Sequence, residues 1–187
     1  MRQKQRISLF GSVRVLTMTA MLIATSVVIG IFCKTFLNFG MGLFRITFEN
    51  MPILMAGILF GPLVGALAGA ATDIISYFLS PQSYPINLIV TLGATMIGLV
   101  SGLLSRYVFR KPGYWHIILP CAVAHIIGSM IVKPIGLFQF YGWAVMWRIP
   151  LYLIIAPVEI TLLCLLYKSK GVRRMMDSFG GNRHELH

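Results

Sequence analysis

The sequence predicts an all-α integral membrane protein with six transmembrane helices and both termini in the cytoplasm. Of its 187 residues, 57% are hydrophobic and only 11% are charged, and the mean hydropathy is +0.82. A soluble domain carries about 25% charged and 45–50% apolar residues, so an ordinary soluble enzyme is excluded. A transmembrane helix needs about 20 apolar residues, and a chain of this length therefore has room for five or six spans and no separate soluble domain.

The distribution of basic residues predicts the orientation. The chain has 16 Lys and Arg against 5 Asp and Glu, a net charge of +11. In a soluble protein this excess suggests nucleic acid, but in a membrane protein it marks the cytoplasmic side, so we expect no nucleic-acid partner. Twelve of the 16 fall before helix 1, early in it, between helices 4 and 5, or after helix 6: Arg2, Lys4, Arg6, Arg14, Arg106, Arg110, Lys111, Lys168, Lys170, Arg173, Arg174 and Arg183.

Helices 1 and 2 differ in how clearly they are predicted. The apolar run Val13–Cys33 is expected to be retained as helix 1, because no small-residue cleavage site follows it. A polar and glycine-containing stretch, 34–50, then breaks the pattern. Helix 2 is predicted at Met51–Phe60, with Asn50 as N-cap and Pro52 in the first turn. At about 1.5 Å per residue this segment is too short for a ~30 Å core unless the helix begins near Ile46 or lies partly within the protein.

Four further spans complete the prediction. Gly61 and Pro62 make a tight break, and Arg106 and Pro112 mark the end of the fourth span. We treat 1–187 as a single membrane domain with a basic N-terminus (1–12), a six-helix bundle (13–167) and a basic tail (168–187). The remaining helices are predicted at Pro62–Leu79, Pro85–Ser105, His116–Phe140 and Arg148–Tyr167.

Small residues recur at intervals of four in several predicted helices. Gly61, Gly65 and Gly69 form two overlapping GxxxG motifs, and Gly98 and Gly102 repeat the spacing in helix 4. Such glycines share one helix face and let another backbone approach closely, so we expect them to pack helices inside the monomer. Ala20 and Ala24 form a similar small patch in the cytoplasmic half of helix 1, which by itself also indicates internal packing.

Charged residues in or beside the spans are the main functional candidates, since an ionised side chain at the bilayer centre costs about 2.5–3.5 kcal/mol. One interpretation is internal pairing, for example of Asp73 with Lys133 or of Glu159 with a buried donor. The alternative is an outward-facing basic cluster that receives an anionic ligand. Its members are Arg45, Lys133 and Arg148, to which we add Glu49, Asp73 and Asn87 as candidate substrate-binding residues.

Aromatic residues crowd the stretch before helix 6, from Phe138 through Phe140, Tyr141 and Trp143 to Trp147. An interfacial belt is one explanation. A stacking wall for a flat heteroaromatic ligand is the other, and it makes Phe140 and Trp143 candidate substrate-binding residues.

Several motifs of enzymes and metalloproteins are missing. The chain has no GxxxxGK[ST] phosphate loop, no metal-binding His spacing, and three scattered cysteines, Cys33, Cys121 and Cys164. We therefore predict no enzymatic activity, no cofactor and no metal site.

The stretch from Arg45 to Asp73 reads RITFENMPILMAGILFGPLVGALAGAATD. It resembles the substrate-binding S components of energy-coupling factor (ECF) vitamin transporters, specifically the folate family. The Phe-Gly-Pro junction, with Asp73 eleven residues beyond Pro62, carries the resemblance to the class, and the likeness extends through helix 4 and the segment from Arg148 to Glu159. The chain departs from several folate-family members before helix 4, where it has Tyr84-Pro-Ile-Asn-Leu88 instead of a Pro-Gly-Phe-Thr-like stretch.

The resemblance implies a multi-pass protein of the prokaryotic plasma membrane that binds folate or a related vitamin from outside. It also implies a membrane coupling subunit and two ATPases as partners, with Ala20 and Ala24 in the docking face for the coupling subunit. The alternatives are an S component for another vitamin or modified base, and a small integral-membrane enzyme or assembly factor.

Overall fold

The computed structural model describes residues 13–39, 44–79, 87–108 and 113–172, which form a bundle of helices. Two antiparallel strands of two residues each, β1 (Asn38–Phe39) and β2 (Phe44–Arg45), follow the first helix, with Asn38 opposite Arg45. The predicted N-terminus (1–12) and most of the predicted tail lie outside the described residues. The α-helices are α1 (Val13–Phe36), α2 (Asn50–Phe60), α3 (Pro62–Leu79), α4 (Leu88–Tyr107), α5 (Trp115–Ala124), α6 (Lys133–Tyr141) and α7 (Arg148–Lys168).

Most of these helices have the length and composition of membrane spans. Of the described residues, four stretches are long and apolar enough to cross a membrane: Val13–Phe36, Pro62–Leu79, Leu88–Tyr107 and Trp115–Lys168. The last folds back on itself, because the ring of Tyr114 packs edge-on against Tyr167 with centroids 5.8 Å apart. It therefore makes two antiparallel passages, and with the shorter α2 the described part of the chain has six helical passages.

The predicted helix 5 is less regular than the sequence indicates. Between α5 and α6 lies a π-helical stretch, His125–Val132, so the predicted single helix His116–Phe140 has three segments. A 3₁₀ turn, Gly142–Trp147, then leads directly into α7. Gly142 has φ +54°, a left-handed conformation that glycine adopts without steric cost and that helps to reverse the chain here.

Other predicted boundaries need small corrections. α1 continues one turn beyond Cys33 to Phe36, and α4 begins at Leu88, while 80–86 lie outside the described residues. Asn50 is the first residue of α2 and not its N-cap, a position that Glu49 occupies without a side-chain capping bond. This correction matters for the site, because the Asn50 side chain makes a different contact.

α2, α3 and α4 pack at backbone contact distance through the predicted glycines. A Cβ added at Gly98 would overlap the carbonyl oxygen of Gly65, and one added at Gly69 would overlap that of Ala94. A Cβ added at Gly102 would lie 2.6 Å from backbone atoms of Pro62. The expectation that the GxxxG spacings serve internal packing is confirmed. Beside this contact, an apolar core joins α2, α4, α5 and α7 around Leu54, Ile97, Cys121, Ala124 and Leu163.

Candidate substrate site

A cluster of buried polar side chains lies toward one end of the bundle, where α1 and α3 end and α2 and α7 begin. We call this end the site end. Lys133, the first residue of α6, is only 6% exposed, and its Nζ donates a hydrogen bond to Oδ1 of Asn50 at 3.2 Å. The same Nζ lies 3.9 Å from Oε1 of Glu49. The structure thus brings Lys133 and Glu49 together and adds Asn50, which the sequence analysis did not place in the site.

The last turns of α1 and α3 close around the Glu49 carboxylate. A Cβ added at Gly30 would lie 2.7 Å from Oε2 of Glu49 and 3.6 Å from Oγ of Ser76, so a larger residue here would displace the Glu49 carboxylate. The Ser26 hydroxyl donates to the backbone carbonyl of Glu49, and Lys34 Nζ donates to that of Ser76 at 3.4 Å. The first bond holds the residue before α2 against α1, and the second links α1 to α3.

Several buried polar atoms around Glu49 and Lys133 have no hydrogen-bond partner. They are Oγ1 of Thr47, Nδ2 of Asn50, Oγ1 of Thr72 and Oγ of Ser76, which is one helical turn from Thr72. Leaving such a group unpaired costs about 1–3 kcal/mol, and native proteins keep few of them. Asn50 contacts Lys133 directly and Ser76 lies close to the Glu49 carboxylate, so these unpartnered atoms indicate a place for a polar ligand beside the two charged groups. We refer to Thr47, Glu49, Asn50, Thr72, Ser76 and Lys133 as the polar cluster.

Arg148 is a second buried cation at the site end. It is the first residue of α7 and is 6% exposed. Its guanidinium carbon lies 5.6 Å from the ring centroid of Tyr141, a cation–π distance. The 3₁₀ turn between α6 and α7 brings these two residues together. Arg45 lies in β2, and the position of its side chain is outside the described part of the structure.

The predicted aromatic residues lie at the surface of the site end. Phe140 is 39% exposed and Trp143 is 75% exposed, and the Trp143 ring packs edge-on against Phe138 at 5.6 Å. This exposure suits an interfacial belt, and it also leaves the rings accessible to a ligand at the surface.

Two of the predicted site residues make bonds between helices. Asp73 accepts a hydrogen bond from the Thr91 hydroxyl at 2.7 Å, which links α3 to α4. Asn87 caps α4 by accepting from the backbone N–H of Ile89, and its amide also donates to the carbonyl of Gly136 in α6. The carboxylate beside Lys133 is that of Glu49, so the suggested pairing of Asp73 with Lys133 is replaced.

A separate buried pair lies deeper in the bundle. His125 Nε2 is 2.7 Å from Oε2 of Glu159, and both side chains are at most 1% exposed. The other ring nitrogen, Nδ1, is 3.3 Å from the Ser129 hydroxyl. His125 is therefore the buried partner of Glu159 that the sequence analysis expected if the charged residues pair inside the bundle. The described residues contain no group of three or more His, Cys, Asp and Glu side chains that could hold a metal ion.

The predicted docking residues, Ala20 and Ala24, are both exposed on α1. They lie in the half of the helix away from the site end, four residues apart and thus on one face. They do not pack inside the monomer, which was the alternative explanation.

An apolar helical bundle with unpaired polar groups buried near one end is typical of a membrane protein that binds a polar small molecule. A family model described as "ECF transporter, substrate-specific component" matches residues 14–174. The chain therefore belongs to the substrate-specific components of ECF transporters, which agrees with the resemblance given by the Arg45–Asp73 stretch.

A solved structure has the same fold. The crystal structure of FolT bound with folic acid aligns with a TM-score of 0.66 and 21% sequence identity, over 83% of this chain and 92% of that one. At this identity the likeness concerns the fold. No curated protein sequence matches the chain.

Proposed function

We propose that this protein is the vitamin-binding subunit of an ECF-type importer, and that its substrate is folate or a close relative. The observation that carries the proposal is the polar cluster that includes Lys133, in which four buried polar atoms have no hydrogen-bond partner. The folate-bound protein of similar fold supports the choice of vitamin. The absence of catalytic motifs from the sequence agrees with a binding role.

The shape and chemistry of folate suit the residues at the site end. Folate joins a flat pterin to a benzoyl group and a glutamate, so it needs apolar walls, polar partners for the pterin edge and cations for the carboxylates. In this proposal the polar cluster binds the pterin. Lys133 holds the Asn50 side chain in the orientation in which it contacts the ring. Arg148 then receives a glutamate carboxylate, and Phe140 and Trp143 cover the rings.

For the orientation we propose six membrane spans with both termini in the cytoplasm of a prokaryotic cell and the site end outside. Three basic residues of the described chain, Arg14, Arg106 and Lys168, lie at the opposite end of the bundle, at the start of α1 and the ends of α4 and α7. Basic residues favour the cytoplasmic side, which supports this orientation.

We further propose that Ala20 and Ala24 dock on a membrane coupling subunit that works with two ATPases. Their small side chains let another helix approach closely, a mode of association that does not depend on hydrophobic burial. Their exposure in the cytoplasmic half supports this role.

The first experiment identifies the substrate. We expect the protein extracted in detergent to retain folate, detected by absorbance and mass spectrometry, and the ligand-free protein to bind folic acid in calorimetric titration. If the protein binds another vitamin or a modified base and does not bind folic acid, it is still the substrate-binding subunit of an ECF importer, but its substrate is not folate. Failure to bind any vitamin would favour the alternative of a membrane enzyme or assembly factor.

A further inference from the structure

The orientation of the Asn50 side chain is fixed by its neighbour. An ammonium group can only donate hydrogen bonds, so the atom that faces Lys133 Nζ at 3.2 Å must be the amide oxygen. The amide nitrogen therefore faces away from Lys133 and carries two N–H donors. Nδ2 has no hydrogen-bond partner, although Asn50 is 0% exposed. The site thus contains a directed, desolvated donor without an acceptor.

Glu49, the residue before Asn50, provides a hydrogen-bond acceptor. Glu49 places a carboxylate in the same cluster, and a carboxylate accepts up to about four hydrogen bonds. A ligand edge that donates to Glu49 and accepts from Asn50 would match both side chains. The Thr72 and Ser76 hydroxyls do not add to this selection, because a hydroxyl both donates and accepts.

We propose that Asn50 determines which oxidised pteridine the protein accepts, by donating a hydrogen bond to the 4-oxo oxygen of the ring. This inference rests on the proposed function. The pterin edge presents two donors, the 2-amino group and N3–H, next to the 4-oxo acceptor, which is the pattern that Glu49 and Asn50 complement. A 4-amino group at the same position would place its N–H donors against those of the Asn50 amide. Both groups would then be buried without an acceptor, which destabilises the complex.

The test compares folic acid with aminopterin, which carries a 4-amino group in place of the 4-oxo group. We expect the wild-type protein to bind folic acid at least about tenfold more tightly than aminopterin in calorimetric titration. Asn50→Asp replaces the donor by an acceptor of nearly the same shape. It should weaken folic acid binding by about tenfold or more and should reduce or reverse the preference. Met51→Leu, next in the chain and outside the cluster, is the matched control and should leave the preference unchanged.

Lys133→Met provides a second variant, because without the ammonium the amide is free to turn and offer its oxygen to the ligand. In this variant the ratio of the dissociation constants for aminopterin and folic acid should fall towards one. Equal affinity of the wild-type protein for the two ligands would overturn the inference even if no variant folds, as would an unchanged preference in a folded Asn50→Asp protein. If the wild type binds neither ligand, the proposed function itself is wrong.

Discussion

Two buried cations of the site, Lys133 and Arg148, have different surroundings. Lys133 lies between the Asn50 amide and the Glu49 carboxylate, and its ammonium group fixes which way the Asn50 amide points. Arg148 lies over the Tyr141 ring, and guanidinium groups bind carboxylates through two parallel hydrogen bonds. We therefore assign the glutamate end of the substrate to Arg148 and the orientation of Asn50 to Lys133.

The variant Arg148→Gln tests this division. Loss of a hydrogen bond to a charged group costs about 1.5–3 kcal/mol, so folic acid should bind at least about tenfold more weakly. Pteroic acid, which lacks the glutamate, should lose less affinity. Calorimetric titration of monodisperse protein measures both, with Lys168→Gln at the exposed end of α7 as the control. Equal losses for the two ligands would remove Arg148 from the carboxylate site.

Charged residues of the site could be predicted from the sequence, but the uncharged ones could not. A charge in a membrane span is costly and rare, so Lys133 and Arg148 stand out without a structure. Asn50, Thr72 and Ser76 are ordinary residues in sequence, and the pattern gave Asn50 the simpler role of a helix cap. Their importance depends on unpaired atoms, which only the packing of α1, α2, α3 and α6 reveals.

At the scale of elements, the contact of α3 with α4 determines how closely the bundle packs. Gly65 and Gly98 face each other with their backbones in contact, so neither position has space for a side chain. Van der Waals packing is the main attraction between helices in lipid, where apolar side chains gain little from leaving the solvent. The two helices should therefore be sensitive to a single methyl group.

We expect Gly98→Ala to destabilise the protein, because its Cβ would overlap the Gly65 carbonyl oxygen. Overpacking of this kind typically costs 1–3 kcal/mol or more. Gly113→Ala is the matched control, since a Cβ added there meets nothing within 4 Å. Thermal unfolding in detergent should show a lower midpoint for the first variant only. The same midpoint in both would mean that α3 and α4 separate more easily than their contact indicates.

The elements that could be predicted are those with clear local signals. Gly61 and Pro62 define the start of α3, whose predicted and observed limits agree at Pro62–Leu79. The apolar run after His116 is predicted as one regular helix, because its hydrophobic pattern continues across the centre. Its π-helical stretch lies between two tertiary contacts, that of His125 with Glu159 and that of Lys133 with Asn50, and Pro134, which has no backbone N–H, follows it.

For the molecule as a whole, the proposed functions divide between two halves of the bundle. The polar cluster and Arg148 lie at the site end, while Ala20 and Ala24 lie on the outer face of the other half of α1. Substrate binding and partner docking should therefore be separable by substitution. The prediction that Ala20 and Ala24 contact a partner comes from the family resemblance, since a pair of exposed alanines has no distinctive chemistry.

Replacing Ala20 or Ala24 by Trp should prevent assembly with the coupling subunit, because a large side chain keeps the partner helix away. Calorimetric binding of folic acid by the isolated protein should stay nearly unchanged. Ile154→Trp, at an exposed position of α7, is the control and should assemble normally. Copurification with the coupling subunit and uptake by cells measure the effect. A comparable loss of substrate binding would show that the alanines support the bundle and not the interface.

The π-helical stretch His125–Val132 is a place where the chain can lose one residue without rotating the helix beyond it. In an α-helix of 3.6 residues per turn, removing one residue turns everything beyond it by about 100°. A π-helical turn already holds an additional residue, so removal of Ile126 or Ile131, both exposed at the surface, lets the stretch close into α-helical turns. His125 and Lys133 then keep their directions. A one-residue gap at this point between two related sequences is therefore compatible with the same site.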